Sequence, residues 1–315
     1  MRWKTLFLLL CLLLASTASC KRTERQQGPH KLNVVVTLFP LYDFARQVGG
    51  DKAQVQLLLP PGLEPHSFEP KPEDMVNINR ADLFIFTNRF MEPWAVKLLK
   101  GVDSGSQSVV NAGEGAAFMS VADDNGHVHD HGSAPAEASR LDPHIWLSIV
   151  NAQQMVENVA AGFARKDPAN AAYYKANAAT YNSRLAQLDG RFRAELSRCQ
   201  SRILMHGGHY AFGYLADRYG LDYTSAYASS ANAEPSPRKL MDLVKKMRQE
   251  NVRAIFYEEL ISPAMAEMIA RETGARLVKL HGLHTVSKAE LDQGATFLSL
   301  MELNLENLKK GLECR

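Results

Sequence analysis

The sequence predicts an α/β protein of two βα lobes, each with a mostly parallel sheet, joined by one long rigid helix. Three observations predict it. Short apolar runs alternate with segments of helical period in both halves of the chain. Between the halves, Tyr174, Ala178, Tyr181, Leu185, Leu188, Phe192 and Leu196 recur in steps of three and four. That stripe makes one helix of about 30 residues, roughly 45 Å at 1.5 Å per residue. The chain, at 315 residues, is also longer than a single core usually serves.

In chain order, residues 1–19 carry Arg2 and Lys4, an apolar run over 6–15, then small polar residues before Cys20, the layout of an export signal. The run is too short to span a bilayer comfortably. Thr17-Ala18-Ser19-Cys20 resembles a lipoprotein cleavage box, with Thr17 where leucine is usual, so Cys20 is the expected lipid attachment site. The protein is therefore expected outside the cytoplasmic membrane, periplasmic or on the cell surface. Residues 20–31 are polar and basic with Gly28-Pro29, a tether.

An N-terminal lobe is expected over 32–166, with strands at 33–38, 53–59, 82–87 and 107–110. Residues 101–115 and 122–140 lack hydrophobic period and read as loop, the second holding His127, His129 and His131 at alternate positions. A short tract of this kind is equally a loose metal binder and a solvated loop. A helix follows over 148–165. Asp167-Pro168 supplies an N-cap and a first-turn proline for the linking helix, 167–198. The C-terminal lobe, 199–315, repeats the rhythm with strands at 202–205, 221–225, 253–257 and 275–280. Its helices are expected over 209–219, from Pro237, from Pro263 and from about Gly294.

Once Arg2 and Lys4 are set aside, basic and acidic side chains balance, which argues against nucleic acid or an anionic membrane as principal partner. Of four cysteines, Cys11 lies in the leader and Cys20 is the lipid site. Cys199 and Cys314 remain in an exported chain and are expected to pair, clipping the ends of the second lobe together.

The chemistry is carried by histidines. In Leu141-Asp-Pro-His-Ile-Trp-Leu147, Asp142-Pro143 favours an extended or turn conformation, and Ile145, Trp146 and Leu147 supply apolar surface that holds His144. A single histidine so placed is more often a packed structural residue. His144 has company: His66 and His209 also sit in connections beside predicted strands, where open α/β sheets collect ligands. His281 and His284, just beyond the last predicted strand, offer a fourth position. Several neutral imidazoles suit a borderline divalent ion, zinc foremost, whereas carboxylate-rich sites lean to manganese. Glu64, Glu69, Asp142 and Glu258 are candidates to orient the rings, with capping and surface solvation as the plainer alternative.

These motifs resemble those of the substrate-binding proteins of ATP-driven zinc and manganese importers. The resemblance runs through residues 60–70 (Pro-Pro-Gly-Leu-Glu-Pro-His-Ser-Phe-Glu-Pro), Ala81-Asp82-Leu83, Glu92-Pro-Trp94 and Asp142-Pro-His144-Ile-Trp146-Leu. It continues through His209-Tyr-Ala-Phe-Gly-Tyr214-Leu-Ala-Asp-Arg-Tyr-Gly-Leu221 and Glu234-Pro-Ser-Pro237, covering nearly the whole mature chain in order. It implies two βα lobes on a rigid helix, with His66, His144 and His209 as the first three metal ligands between the lobes. Histidine at the third place resembles the zinc members, as does a histidine-rich loop before the second ligand. The fourth place, usually an acid, is here His284 or His281. Ser148-Ile149 also replaces the Asp-Pro that often follows the second motif.

The expected function is a receptor, not an enzyme. It captures zinc, with manganese as runner-up, and as a monomer hands it to the membrane permease of an ABC importer. A manganese or iron receptor and a metal-dependent adhesin fit the same fold. A zinc hydrolase fits less, since no His-Glu-x-x-His helix or similar signature is present. Because protons and metal compete for imidazole nitrogen, affinity is expected to fall below about pH 6 to 6.5.

Overall fold

The computed structural model describes residues 31–99, 108–121, 141–227, 236–259 and 263–315. The leader, Cys20, the tether to His30, the tract of His127, His129 and His131, and Glu234 lie outside these residues. The first sheet is built from β1 (Leu32–Val36), β2 (Ala53–Leu57), β3 (Leu83–Phe86) and β4 (Ser108–Asn111), in the order β2-β1-β3-β4 with every pair parallel. The second repeats this arrangement with β5 (Ile203–His206), β6 (Asp222–Ser225), β7 (Ala254–Tyr257) and β8 (Arg276–Lys279), in the order β6-β5-β7-β8.

The central strands are apolar on both faces, as a sheet covered by helices on both sides requires; Leu83, Phe84, Ile85 and Phe86 are all buried. Helices α1 (Phe39–Gly49), α2 (Pro72–Arg80), α3 (Pro93–Leu99) and α4 (Ile149–Lys166) belong to the first half. Helix α5 (Ala171–Leu196) is the long helix. Beyond it come α6 (Gly213–Tyr219), α7 (Pro237–Gln249), α8 (Ala264–Thr273), α9 (Lys288–Asp292) and α10 (Phe297–Gly311). In both sheets chain order reverses beside the first strand, so the loops at the carboxyl ends face one cleft.

Helix α5 buries Tyr174, Ala178, Tyr181, Leu185, Leu188, Phe192 and Leu196, the stripe the spacing predicts. That stripe lies within one apolar core running from Leu32 in β1 to Leu312 after α10, so the lobes share packing along the helix. Truncating Leu185 to alanine in mid-stripe should cost about 2 to 5 kcal/mol. Cys199 and Cys314 form a disulfide.

Three local expectations are corrected. Asp167 does not cap the long helix with its side chain; its Oδ2 accepts from the Tyr174 hydroxyl and Asn170 Nδ2, and residues 168–170 form a 3-10 turn first. The helix after β5 starts at Gly213, not His209, and the His209 carbonyl that would open an earlier helix is instead engaged by the Tyr223 hydroxyl and lies 3.1 Å from His206 Nδ1. The last segment breaks at Gly294, whose φ of 77° ends one turn before Thr296 caps α10.

Candidate metal centre

Each candidate histidine stands at the carboxyl end of a sheet. His66 lies between β2 and α2, where its own amide donates to Glu64 Oε1 at 3.0 Å. His144 lies in the turn before α4 and is fully buried. There Asp142 Oδ1 binds both its amide, at 3.0 Å, and its Nδ1, at 2.7 Å. His209 follows β5, also fully buried, and Glu258 Oε1 at the end of β7 binds its amide at 3.0 Å and its Nδ1 at 2.7 Å.

With Nδ1 held in this way, each Nε2 points inward. His144 Nε2 stands 3.1 Å from His66 Nε2 and 3.2 Å from His209 Nε2. Ligand nitrogens about 2.0 to 2.1 Å from a tetrahedral zinc lie about 3.3 Å apart, so both distances from His144 already match two edges of a zinc face, and all three ligand nitrogens lie within 4.8 Å of one another. Only His66 reaches the surface.

The two remaining histidines separate clearly. His284 is fully buried, both its ring nitrogens lack a partner, and its ring centroid lies 5.9 Å from that of His209 and 6.5 Å from that of His144. His281 lies among acids instead: its Nδ1 accepts from the Leu283 amide at 2.9 Å and stands 3.1 Å from Glu259 Oε1, its Nε2 stands 3.6 Å from Glu290 Oε1, and Asn304 binds its backbone on both sides. Leu283, between them, has a φ of 61°, a left-handed conformation that costs a side-chain-bearing residue on the order of 1 kcal/mol. The loop is held from both lobes. Glu259 binds the Gly282 amide; Trp146 Nε1 donates to the Gly282 carbonyl at 2.9 Å, and Gly62 N donates to Thr285 Oγ1 at 3.2 Å.

Burial sets the charges. It drives His66 down to about 2, helped by His144 and His209, and it holds His144 and His284 well below the ordinary imidazole value. For His209 burial acts downward too, but the charge and hydrogen bond of Glu258 outweigh it, and the net shift is upward. Burial pushes Asp142 up to about 7; Glu258, equally buried, is instead held low by His209. Of the other expected orienting acids, Glu64 holds a backbone amide rather than a ring, and Glu69 is exposed. Sequence reasoning missed Tyr214, whose hydroxyl donates to the Asp142 carbonyl at 2.7 Å and accepts from Met119 N at 3.0 Å. It lies within a quoted motif, but nothing in the motif says what it touches.

Two parallel lobes, a continuous helix between them and converging imidazoles at their meeting line define a class, the two-lobed metal receptors. The chain belongs to the ZnuA family, described as "Zinc-uptake complex component A periplasmic", whose sequence model matches residues 34–311. It is 36% identical over 315 residues to the "High-affinity zinc uptake system protein ZnuA" of Bacillus subtilis, covering 99% of this chain and 98% of that one. It is 33% identical to the "Zinc-binding lipoprotein AdcA" of Streptococcus pneumoniae, covering 96% of this chain but only 60% of that longer relative. The solved Zn(II)-bound ZnuA-like domain of Streptococcus pneumoniae AdcA superposes with a TM-score of 0.75 at 32% identity, covering 90% of this chain and 99% of that domain.

Proposed function

We propose that this protein is the zinc-binding receptor of an ABC importer, taking the ion outside the cytoplasmic membrane and passing it to a membrane permease. Zinc is its cargo, not a catalytic cofactor. The observation that carries the reading is the trio of converging imidazole nitrogens, with His144 at zinc spacing from both of the others and two of the rings fully buried and braced by carboxylates. His66, His144 and His209 are the proposed ligands. His284 is the proposed fourth, because both its ring nitrogens are unpartnered and its ring packs against those of His144 and His209, while His281 Nδ1 accepts from the Leu283 amide and its ring lies beside Glu259 and Glu290.

Four imidazoles and no carboxylate among the ligands favour zinc over manganese. The bracing carboxylates balance the ion's charge from behind the rings. Binding should require little lobe movement, since bonds such as Gly62 to Thr285 already cross the cleft; release then requires the permease to break them. The lobe boundaries proposed are 32–166 and 199–315, with 167–198 as the linking helix. The chain is further proposed to be a monomer, anchored through acylated Cys20.

Calorimetry of metal-free protein against zinc and manganese tests the reading. One tight zinc site per chain, lost in His66→Ala, His144→Ala and His209→Ala, is expected. Wild-type affinity in all three variants would sink it. Mass spectrometry of the membrane fraction checks Cys20, and light scattering checks the monomer.

A further inference from the structure

The turn that presents His144 is fixed by a buried loop at the carboxyl end of β3 that holds none of the proposed ligands. Glu92, of the Glu-Pro-Trp motif, is 1% exposed and Asn88 is 2% exposed. Glu92 binds the Thr87 amide with both oxygens, at 3.2 and 3.1 Å, and the Asn88 amide at 3.1 Å, and the Thr37 hydroxyl also donates to it. The loop is thereby closed around the carboxyl group. Asn88 Oδ1 accepts from the amides of Phe90 and Met91, each at 2.9 Å, which aims the other end of its side chain outward.

That other end, Nδ2, donates to the Pro143 carbonyl at 3.1 Å. The Pro143 carbonyl and the His144 N–H belong to one peptide unit, and the N–H donates to Asp142 Oδ1 at 3.0 Å. Both polar ends of the peptide plane preceding His144 are therefore tied to buried side chains. Turning that plane would swing the Cα–Cβ bond of His144, and with it Nε2. Gly113 lets the pieces close up: a Cβ there would stand 2.6 Å from the Thr87 carbonyl and 2.7 Å from Ile145 Cδ1.

We propose that Asn88 is a positioning residue of the metal site. Through the Pro143 carbonyl it fixes the backbone from which His144 reaches the ion, and Glu92 locks the loop that aims it. The inference rests on His144 being a ligand. Groups that orient ligands from behind typically contribute about 10- to 100-fold in metal affinity.

Asn88→Asp isolates this role. Aspartate keeps the oxygen that binds the Phe90 and Met91 amides but sets an oxygen, not a donor, against the Pro143 carbonyl. Zinc affinity, measured by competition with a chromophoric chelator, should fall at least about tenfold. The cobalt(II)-loaded variant should lose ligand-field band intensity as its geometry leaves the tetrahedral. Val35→Ala, a core truncation in the same lobe, controls for stability. If Asn88→Asp binds zinc and cobalt as wild type does, or if Val35→Ala lowers zinc affinity equally, the proposal is overturned. Should Asn88→Asp not fold, Asn88→Ser is judged by the same criteria, since its hydroxyl can serve the loop amides but cannot reach Pro143. Zinc binding absent from the unsubstituted protein, or retained in His144→Ala, would instead overturn the ligand assignment beneath the proposal.

Discussion

His144 and His209 face each other at 3.2 Å between Nε2 atoms, and each has a buried carboxylate oxygen 2.7 Å behind it. The two lobes build this same bond in different ways. The first lobe finds its carboxylate two residues away in one turn, Asp142; the second brings Glu258 from the end of another strand, 49 residues along the chain. The charge state differs as well. Asp142 is pushed up to about 7 beside a neutral His144, whereas Glu258 is held low and His209 high, an ion pair. Equal bond lengths therefore conceal one carboxyl raised by its burial and one held low by the histidine it braces.

The largest expected effect tests whether the second lobe relies on its covalent clip. The Cys199–Cys314 disulfide joins residues 115 positions apart, so Cys314→Ser should lower stability by about 4 kcal/mol in the chain-entropy view. Chemical denaturation measures it, and an unchanged midpoint would show the lobe closed by packing alone.

The ligands come next. His144→Ala and His209→Ala should each cost more than about 100-fold in zinc affinity, beyond what orienting groups contribute. Markedly unequal losses would show that one lobe dominates the site.

The proton comparison follows. Because His209 alone among the proposed ligands is shifted upward, zinc affinity should fall about tenfold per pH unit below its pKa and level off above it. A slope of one proton replaces the collective loss below pH 6 to 6.5 expected for four ordinary histidines, since burial keeps the other three neutral. Glu258→Gln removes the anion that retains the proton, so its plateau should reach to lower pH; Asp142→Asn should leave the slope in place. Chelator competition from pH 5 to 8 distinguishes them.

The smallest effect concerns Glu92, raised by burial to about 7 from an ordinary 4.5. Between those values the folded chain keeps a proton that the unfolded chain releases, so this group's contribution to stability falls as pH rises through the window. Glu92→Gln, which resembles the protonated form, should cost about 1 kcal/mol at pH 5 and less at pH 8. Melting temperatures of both proteins across that range check the sign.

How much of this was legible varies with the range of the interactions. The strands fall within a residue or two of where the apolar runs put them, and the buried face of α5 is the stripe read from spacing. Asp142 beside His144 was also within reach, being local. The start of α6 was not, because Tyr223, from the next strand, and His206 engage the His209 carbonyl that an earlier first turn would have needed. Nor did the sequence choose between His281 and His284, three residues apart in one loop. Asn304, Glu259 and Glu290, drawn from three other segments, engage His281.

The sequence by itself determined the alternation of strands and helices, the long linking helix and the histidine-bearing turns, since periodicity and turn chemistry act over a few residues. Only the tertiary structure decided which nitrogens converge and which carboxylate braces His209. It also decided which imidazole is shifted upward. Those depend on burial and on groups brought together from separate segments, such as His209 and Glu258, 49 residues apart, and no local pattern records them.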